Sequence, residues 1–464
     1  MITANKKNAI LDRWARTLGQ RRDDVAVYHA DGSISRTFSE IETEASSLAE
    51  QLVRLRGGSV VAIRAGNSIL WPAILLACFR RELIPLPVGR YMAKSEFDLA
   101  LRSCDVSAVL EISNTCLEIQ PIGSSTVKTV EGIEFFKLTS GTTAAPRAIG
   151  FTARQLVADC DNVCTTMGIR AEDRNFGVIP FSHSYGFSNL VTPLICRGVP
   201  VAASDDRMPR AILNDLMRSR ATVFPGMPVF YQAFNELPDV PALPNLRLCI
   251  SAGAPLPAAL ANRFSAKFGK KVHTFYGSSE CGGICYDRGD DFLYEDGYVG
   301  TPMDGVSIQR LDKAESSRIN IRSGAVGEGY YPLPDTDQLS SGAFTPADLI
   351  RESPRGMYVV GRASDIINIA GRKLNPLEVE SQIMRLPGVR NVVVFGVPSS
   401  LRNEEPVACV AVEEGLEEAD LMDRCRAVLS PWQVPKDLWL LREIPVNERG
   451  KINRRELAKA YLTR

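Results

Sequence analysis

The chain has 464 residues, of which 45% are hydrophobic and 23% charged, with 54 Lys+Arg against 54 Asp+Glu. That length is too great for one core and implies two or more domains. Zero net charge argues against a nucleic-acid or membrane-surface protein, whose footprint is basic. The longest apolar run, Ile69 to Phe79, is closed by Arg80-Arg81 and is too short to span a bilayer. The first residues, Met1 to Lys7, lack the apolar core of a signal peptide. Eleven cysteines, an odd number scattered along the chain, suit a reducing compartment, so the expected location is cytoplasmic. Cys160/Cys164 and Cys281/Cys285 have helical as well as metal-ligand spacing. With three histidines in all and none beside either pair, they are expected to be buried apolar cysteines.

Helical periodicity covers 8–20 and 39–56, the second helix starting at Thr37-Phe38-Ser39-Glu40 with Ser39 as cap. Between them Val25–Tyr28 and Ser33–Ser35 read as a hairpin around Asp31-Gly32. A strand at Ser59–Ile63, a buried helix at 69–79, a strand at Leu83–Val88, a helix at 95–103 and a strand at Ala108–Ile112 follow. This alternation predicts a layered α/β domain with parallel pairing. A second α/β unit runs through helix 153–167, strand Asn175–Pro180, helix 188–195, strand Pro200–Ala203 and helix 209–219. It ends with strand Ala221–Phe224, strand Leu246–Ser251, helix 257–268 and strand Val272–Phe275. Glycines, prolines and short apolar runs make Gly297 to Tyr358 β-rich. Beyond Gly361–Asp365 the pattern becomes a small α+β unit: strand 366–369, helix 376–386, strands 390–396 and 406–412, helix 417–428 and a short last helix.

Five stretches carry candidate chemistry. Phe135–Leu138 is an apolar strand running into Thr139, Ser140, Gly141, Thr142 and Thr143, then Pro146-Arg147, before Ala148–Phe151 resumes an apolar run. Hydroxyls and backbone N–H groups near a glycine make a nest for anionic oxygens, and Arg147 adds charge; an ordinary Ser/Thr/Gly turn has the same composition. No helix follows directly, so the stretch is a hairpin and lacks the helix-opening Gly-Lys-Ser/Thr of nucleotide-kinase loops. Tyr276-Gly277-Ser278-Ser279-Glu280 ends a strand, where α/β folds bind ligands. There Tyr276 can stack on a base, Gly277 admits close backbone approach and Glu280 is a hard oxygen ligand for Mg²⁺; a strand-to-helix cap fits equally. Ser251–Pro255 is a small-residue strand end with room for a flat ring, or a plain turn. Pro180–Gly186 holds His183, which either contacts a substrate or is satisfied by neighbouring hydroxyls. Asn447–Arg454 places Lys451 after Gly450 in a polar loop, a mobile ammonium or a solvated basic turn.

Taken together and in this order, the stretches resemble the AMP-forming adenylating superfamily of acyl- and aryl-CoA synthetases, adenylation domains and firefly-type luciferases. The matching segments are Thr139–Pro146, Pro180–Gly186, Ser251–Pro255, Tyr276–Glu280, Gly297–Pro302, Phe344–Leu349, Gly361–Glu380 and Gly450–Leu457, with residues 25–90 like the family's first part. The resemblance implies an α/β fold: a large N-terminal domain of two layered α/β subdomains plus a β-barrel over 1–363, and a small α+β C-terminal lid over 364–464. It implies a reaction in which a carboxylate attacks the α-phosphate of ATP, giving an acyl-adenylate and pyrophosphate, after which a thiol displaces AMP. By the same resemblance Thr139–Thr143 and Arg147 would cradle the β- and γ-phosphates. Gly253, Ala254 and Pro255 would line the adenine under Tyr276. Gly277 would belong to the nucleotide site, Ser279 would touch the α-phosphate, and Glu280 would hold Mg²⁺. Asp348 and Arg362 would bind the ribose, and Lys451 would bridge carboxylate and α-phosphate. The hinge would lie at Ala363-Ser364-Asp365, with Arg372 and Lys373 facing the site in one lid position.

This chain departs from the family pattern at Ala144 and Ala148, where glycine is usual, at Arg147 for lysine, at Pro346-Ala347-Asp348 for Thr-Gly-Asp, and at Ser364 in the hinge. The lost glycines stiffen the loop, and Arg147 is a planar fork where the family has a point charge. Ser182-His183 stands where amino-acid adenylation domains place an Asp for the α-ammonium, so the expected acid has no α-amino group. Its pocket is expected from His183, Phe187, Gly226-Met227-Pro228, Ser278 and Cys281-Gly282-Gly283, and the acid is aryl or fatty. Coenzyme A is the expected acceptor, with an acyl carrier protein's phosphopantetheine arm the alternative. A degenerate nucleotide-binding protein without turnover is the third reading.

Overall fold

The structure is a computed structural model describing residues 8–113, 116–122, 132–139, 147–340, 342–399, 401–445 and 452–464. The chain forms two compact units: Met1–Gln309 with Asn320–Thr345, and Arg310–Ile319 with Pro346–Arg464. The turn at 363–365 lies inside the second unit, whose packing takes in the preceding hairpin.

The larger unit is organised by a mixed sheet. Its strands lie in the order Tyr298–Pro302, Gly282–Tyr286, Val272–Ser278, Leu248–Ser251, Val223–Gly226, Asn175–Gly177, Val201–Ala203, Val25–His29 and Ile34–Thr37. From Val272–Ser278 to Val25–His29 every pairing is parallel, so those strands deliver their carboxyl ends to one edge. A second sheet orders Ile84–Pro87, Val60–Arg64, Val106–Ser113 and Cys116–Pro121. The buried helix Trp71–Arg80, with Pro72 in its first turn, covers it. A third, three-stranded sheet sets Gly329–Tyr331 and Phe135–Leu138 on either side of Ala148–Phe151. Phe136 and Ala148 join Val60, Ile84, Leu86 and Val106 in one core cluster, which seats the hydroxyl-rich hairpin on the second sheet.

The smaller unit is a sheet in the order Arg372–Leu374, Ile367–Ile369, Asn403–Val412, Val389–Ser399, with Asp437–Leu441 parallel to Asn403–Val412. Its long strands are apolar on both faces, as burial on both sides requires. Val392, Val394, Ala408 and Val410 pack on the helices Pro376–Ile383 and Glu418–Val428. Val393, Phe395, Val407 and Cys409 pack with Leu457 of the helix Arg454–Leu462. The hairpin Asp348–Ser353/Gly356–Arg362 leads into the turn Ala363–Asp365.

Three sequence readings are corrected. The second helix, Phe38–Gln51, is capped by Thr37, not Ser39. The Thr37 Oγ1 accepts from the Glu40 N–H at 3.2 Å, and Glu40 Oε2 accepts from the Thr37 N–H at 2.7 Å, a complete capping box. The strand expected over Asn175–Pro180 is only Asn175–Gly177. The helix expected over 188–195 starts at Ser184 and contains a π-turn over Phe187–Val191. Pro193 has no N–H for the Asn189 carbonyl, which instead accepts from Asn175 Nδ2 at 2.9 Å. The strand Cys116–Pro121, the helix Pro228–Glu236 and the strand Asp437–Leu441 were not anticipated. Cys160, Cys164, Cys281 and Cys285 are all buried.

Candidate active site

The hydroxyl-rich stretch rises from an antiparallel stem. Leu138 pairs with Ala148, and the Arg147 carbonyl accepts from the Thr139 N–H at 2.8 Å and from its Oγ1 at 3.1 Å. Ser140, Gly141, Thr142, Thr143, Ala144 and Pro146 lie outside the described residues, as does Lys451. The stem confirms the hairpin, and the helix that follows, Ala153–Met167, begins only after the second strand.

Arg147 leaves the stem sideways. Its guanidinium lies 3.8 Å from the centre of the Tyr330 ring, and its Nη1 is 3.6 Å from Asp335 Oδ2. Tyr330 belongs to the strand Gly329–Tyr331, paired directly with Ala148–Gly150. Its hydroxyl donates to Glu280 Oε1 at 3.0 Å, and the Gly327 N–H donates to the Glu280 carbonyl at 2.9 Å. Burial first, then the Glu280 carboxylate, pushes the Tyr330 phenol above its ordinary range, so it stays a donor. Arg147, Tyr330 and Glu280 therefore form one chain from the hairpin to the expected metal ligand.

Glu280 follows the strand Val272–Ser278, in which Tyr276 is half-buried and Gly277 exposed. A methyl group at Gly277 would stand 2.7 Å from the Gly282 carbonyl oxygen, so only glycine lets the two halves of this turn approach. Ser279 Oγ accepts from Ser184 Oγ at 2.8 Å, joining this turn to the His183 loop. In that loop His183 caps the short helix, its Nδ1 accepting from the Tyr185 N–H at 3.2 Å. Gly186 is obligatory, because a Cβ there would lie 2.1 Å from the Pro180 oxygen. Phe187 is fully buried and stacks on Phe135 at 4.5 Å. Ser251 ends its strand beside Gly226, and Gly253 turns with φ +85° while Ala254 and Pro255 stay partly or fully open.

Sequence reasoning missed the charge beneath these turns. Lys137 Nζ, 4% exposed, lies 3.6 Å from Asp159 Oδ2 and donates to Ser188 Oγ at 3.5 Å. Asp159 also accepts from Ser188 Oγ at 2.5 Å and from the Gly283 N–H at 3.2 Å. The signal was present: Phe135 and Lys137 share one strand face by the two-residue repeat, and that face is buried.

In the smaller unit Asp348 and Arg362 are cross-strand partners, with Arg362 Nε donating to Asp348 Oδ1 at 2.8 Å. Arg372 and Lys373 are exposed on the strand Arg372–Leu374, where Arg372 lies 5.5 Å from the Trp432 ring. Arg454 was also missed as an anchor. Its Nη2 donates to Glu380 Oε1 and Oε2 at 2.7 and 2.8 Å, its Nη1 to Asp365 Oδ2 at 3.3 Å and its Nε to the Val394 carbonyl at 3.1 Å. The residue that resumes the chain after the Lys451 loop is thus tied to the turn at 363–365.

A two-unit α/β protein with a hydroxyl-rich hairpin beside a strand-end carboxylate defines an adenylate-forming class. The family described as "AMP-binding enzyme" matches residues 13–135 and 131–331, and "AMP-binding enzyme C-terminal domain" matches 378–451. The chain belongs to the AMP-binding enzyme family. It is 25% identical to a feruloyl-CoA synthase of Amycolatopsis sp, covering 94% of this chain and 96% of that one. It is 24% identical to an oxalate–CoA ligase of Arabidopsis thaliana, covering 98% of each. The fold superposes on ATP-bound MatB from Rhodopseudomonas palustris with a TM-score of 0.86 at 23% identity, covering 97% of this chain and 98% of that one. No helix among the described residues is long and apolar enough to cross a membrane.

Proposed function

We propose that the chain is an AMP-forming acid–thiol ligase that converts a carboxylic acid lacking an α-amino group to its acyl-adenylate with ATP, and then to a thioester of coenzyme A. The observation that carries this is the convergence on one turn. Ser279 is hydrogen-bonded to the His183 loop and Glu280 to Tyr330, beside the hairpin that ends in Arg147. The relatives reported above are named CoA synthase and CoA ligase.

Each residue has a task in this reading. Thr139 to Thr143 and Arg147 hold the β- and γ-phosphates, and Gly253, Ala254, Pro255 and Tyr276 hold the adenine. Ser279 touches the α-phosphate, and Gly277 lets the backbone approach the nucleotide. Asp348 accepts from the ribose hydroxyls, with Arg362 fixing its carboxylate. Lys451 cancels charge as the acid's oxygen attacks, and Arg372 and Lys373 face the site in one position of the lid, residues 364–464, whose hinge is Ala363–Asp365. Catalysis of this kind is positioning and charge cancellation. Glu280 fits Mg²⁺: one carboxylate with an oriented oxygen is the usual protein share of an ion carried on nucleotide phosphates. Such an ion would neutralise phosphate charge. Among the described residues no cluster of three or more His, Cys, Asp or Glu competes for it.

The test is AMP release and acid-dependent pyrophosphate exchange across aryl and fatty acids, with coenzyme A and a holo-acyl carrier protein offered separately. Thioester on coenzyme A alone is expected. Absence of exchange with every acid would establish the degenerate reading. Lys451→Ala should abolish exchange yet spare thioester formation from supplied acyl-adenylate; equal loss of both steps removes that role.

A further inference from the structure

The loop that carries His183 lies between two regular elements. The strand Asn175–Gly177 ends before it, and the short helix begins only at Ser184. A single side chain from another sheet reaches across to hold the backbone in between. Asn67 sits in the turn that joins the strand Val60–Arg64 to the helix Trp71–Arg80, and it is buried. Its Nδ2 donates to the Gly177 carbonyl at 2.8 Å, the Ser204 carbonyl at 3.0 Å and the Ile179 carbonyl at 3.3 Å. Its Oδ1 accepts from the Phe181 N–H at 2.8 Å. Both ends of the amide are thus spent on backbone where the strand stops and the loop begins.

The same turn packs a ring on the loop. Trp71 is fully buried and meets Phe181 edge-on at 6.5 Å and Phe187 at 6.0 Å, so it touches both ends. The Asn67 N–H donates to Asp205 Oδ1 at 3.3 Å, which ties the turn to the residue after Ser204. The loop's second tether is the Ser184–Ser279 hydroxyl bond at 2.8 Å. Local bonds join the two tethers. The His183 N–H donates to the Pro180 carbonyl at 2.9 Å, and the Phe187 N–H donates to the His183 carbonyl at 2.8 Å. Among the described residues, the hydrogen-bond partners of Asn67 include none in Ser251–Pro255 or Tyr276–Glu280. Its grip is on the His183 loop and bypasses the turns assigned to the nucleotide.

We propose that Asn67 is a positioning residue for the acid: it fixes the His183 loop from outside the site and so sets the affinity for the carboxylic acid without setting that for ATP. The inference rests on the ligase reading above. An amide suits the task, because the site asks for donors to three carbonyls and an acceptor for one N–H. An aliphatic side chain leaves those backbone groups without these partners. The loop is then held at the Ser184 end and by packing, and it samples positions that do not meet the acid. Apparent affinity falls by the fraction of time the loop is competent, so competence one-tenth of the time raises the apparent constant ~10-fold.

The experiment measures pyrophosphate exchange by the full chain carrying Asn67→Ala, with the best acid of the panel above and ATP varied in turn. The KM for the acid should rise ~10-fold while that for ATP stays within about twofold. A KM does not depend on how much of the protein is folded, so a variant that is merely less stable loses rate and leaves both constants alone. Should Asn67→Ala not fold, Asn67→Ser carries the test with the same expected split, because its hydroxyl leaves room for water to take up the freed backbone groups. Both KM values rising together, or neither moving, overturns the inference and leaves the ligase reading standing. Silence of the unsubstituted protein with every acid overturns both.

Discussion

Arg454 in the smaller unit and Lys137 in the larger are both cations set against a buried carboxylate, yet their surroundings differ. Arg454 meets both oxygens of Glu380, Asp365 and the Val394 carbonyl, and Glu380 takes the Val394 N–H at 2.7 Å as well. Almost every donor is spent inside the fold. Lys137 reaches its carboxylate only at 3.6 Å, while Asp159 is better served by Ser188 and Gly283. A saturated pair fixes architecture. A pair short of partners leaves donor capacity unspent, at a standing cost to the fold.

The sharpest break of this comparison is Arg454→Ala. It leaves Glu380 buried without its cation, and removing one partner of such a pair costs about 3–5 kcal/mol. The denaturation midpoint of the smaller unit should fall accordingly. The double change Arg454→Met with Glu380→Leu should recover most of the loss. Lys137→Met should cost less, about 1–3 kcal/mol, because Asp159 keeps the Ser188 hydroxyl and the Gly283 amide. Equal costs at the two sites would show that Lys137 is as saturated as Arg454 and would erase the distinction.

Tyr330→Phe probes an intermediate case. Glu280 keeps its backbone bond to Gly327 but loses the hydroxyl on Oε1. A hydrogen bond to a charged group contributes roughly 1.5–3 kcal/mol, so exchange should slow by about tenfold or more. Mn²⁺ binding in the presence of ATP, followed by electron paramagnetic resonance, should weaken in parallel, with little change in melting. A large melting shift with unaltered Mn²⁺ binding would make Tyr330 a packing residue only.

Much of this was legible in the sequence, and the misses share a cause. Strand and helix order followed from periodicity because both long sheets are apolar where they are buried. Asp348 and Arg362, fourteen positions apart around a tight hairpin, are cross-strand partners. Arg454, Tyr330 and Lys137 were not legible because their partners are distant in sequence: Glu380 is 74 positions from Arg454 and Glu280 is 50 from Tyr330. Charge satisfaction across such separations is set by packing, which no local pattern encodes. The π-turn at Phe187–Val191 was missed for another reason, since it depends on Asn175 taking the carbonyl freed by Pro193.

The finest test concerns the sign of the charge balance at Glu380. Burial is the largest influence on this carboxyl and raises its pKa above the ordinary 4.5, although Arg454 and the Val394 N–H both pull it down. A carboxyl raised in the folded state binds its proton more tightly there than in the unfolded chain. Its contribution is therefore complete below 4.5 and is lost as pH rises through the folded value. Glu380→Gln cannot ionise, but its amide oxygen can still accept from Val394 and Arg454, so the two proteins should differ by only about 1 kcal/mol in mild acid. Raising the pH from 4.5 should then shift the difference in favour of the Gln variant. Denaturant midpoints of both proteins across that range decide it. A shift in favour of wild type would mean that Arg454 more than offsets burial, so that even this saturated pair favours the charged form.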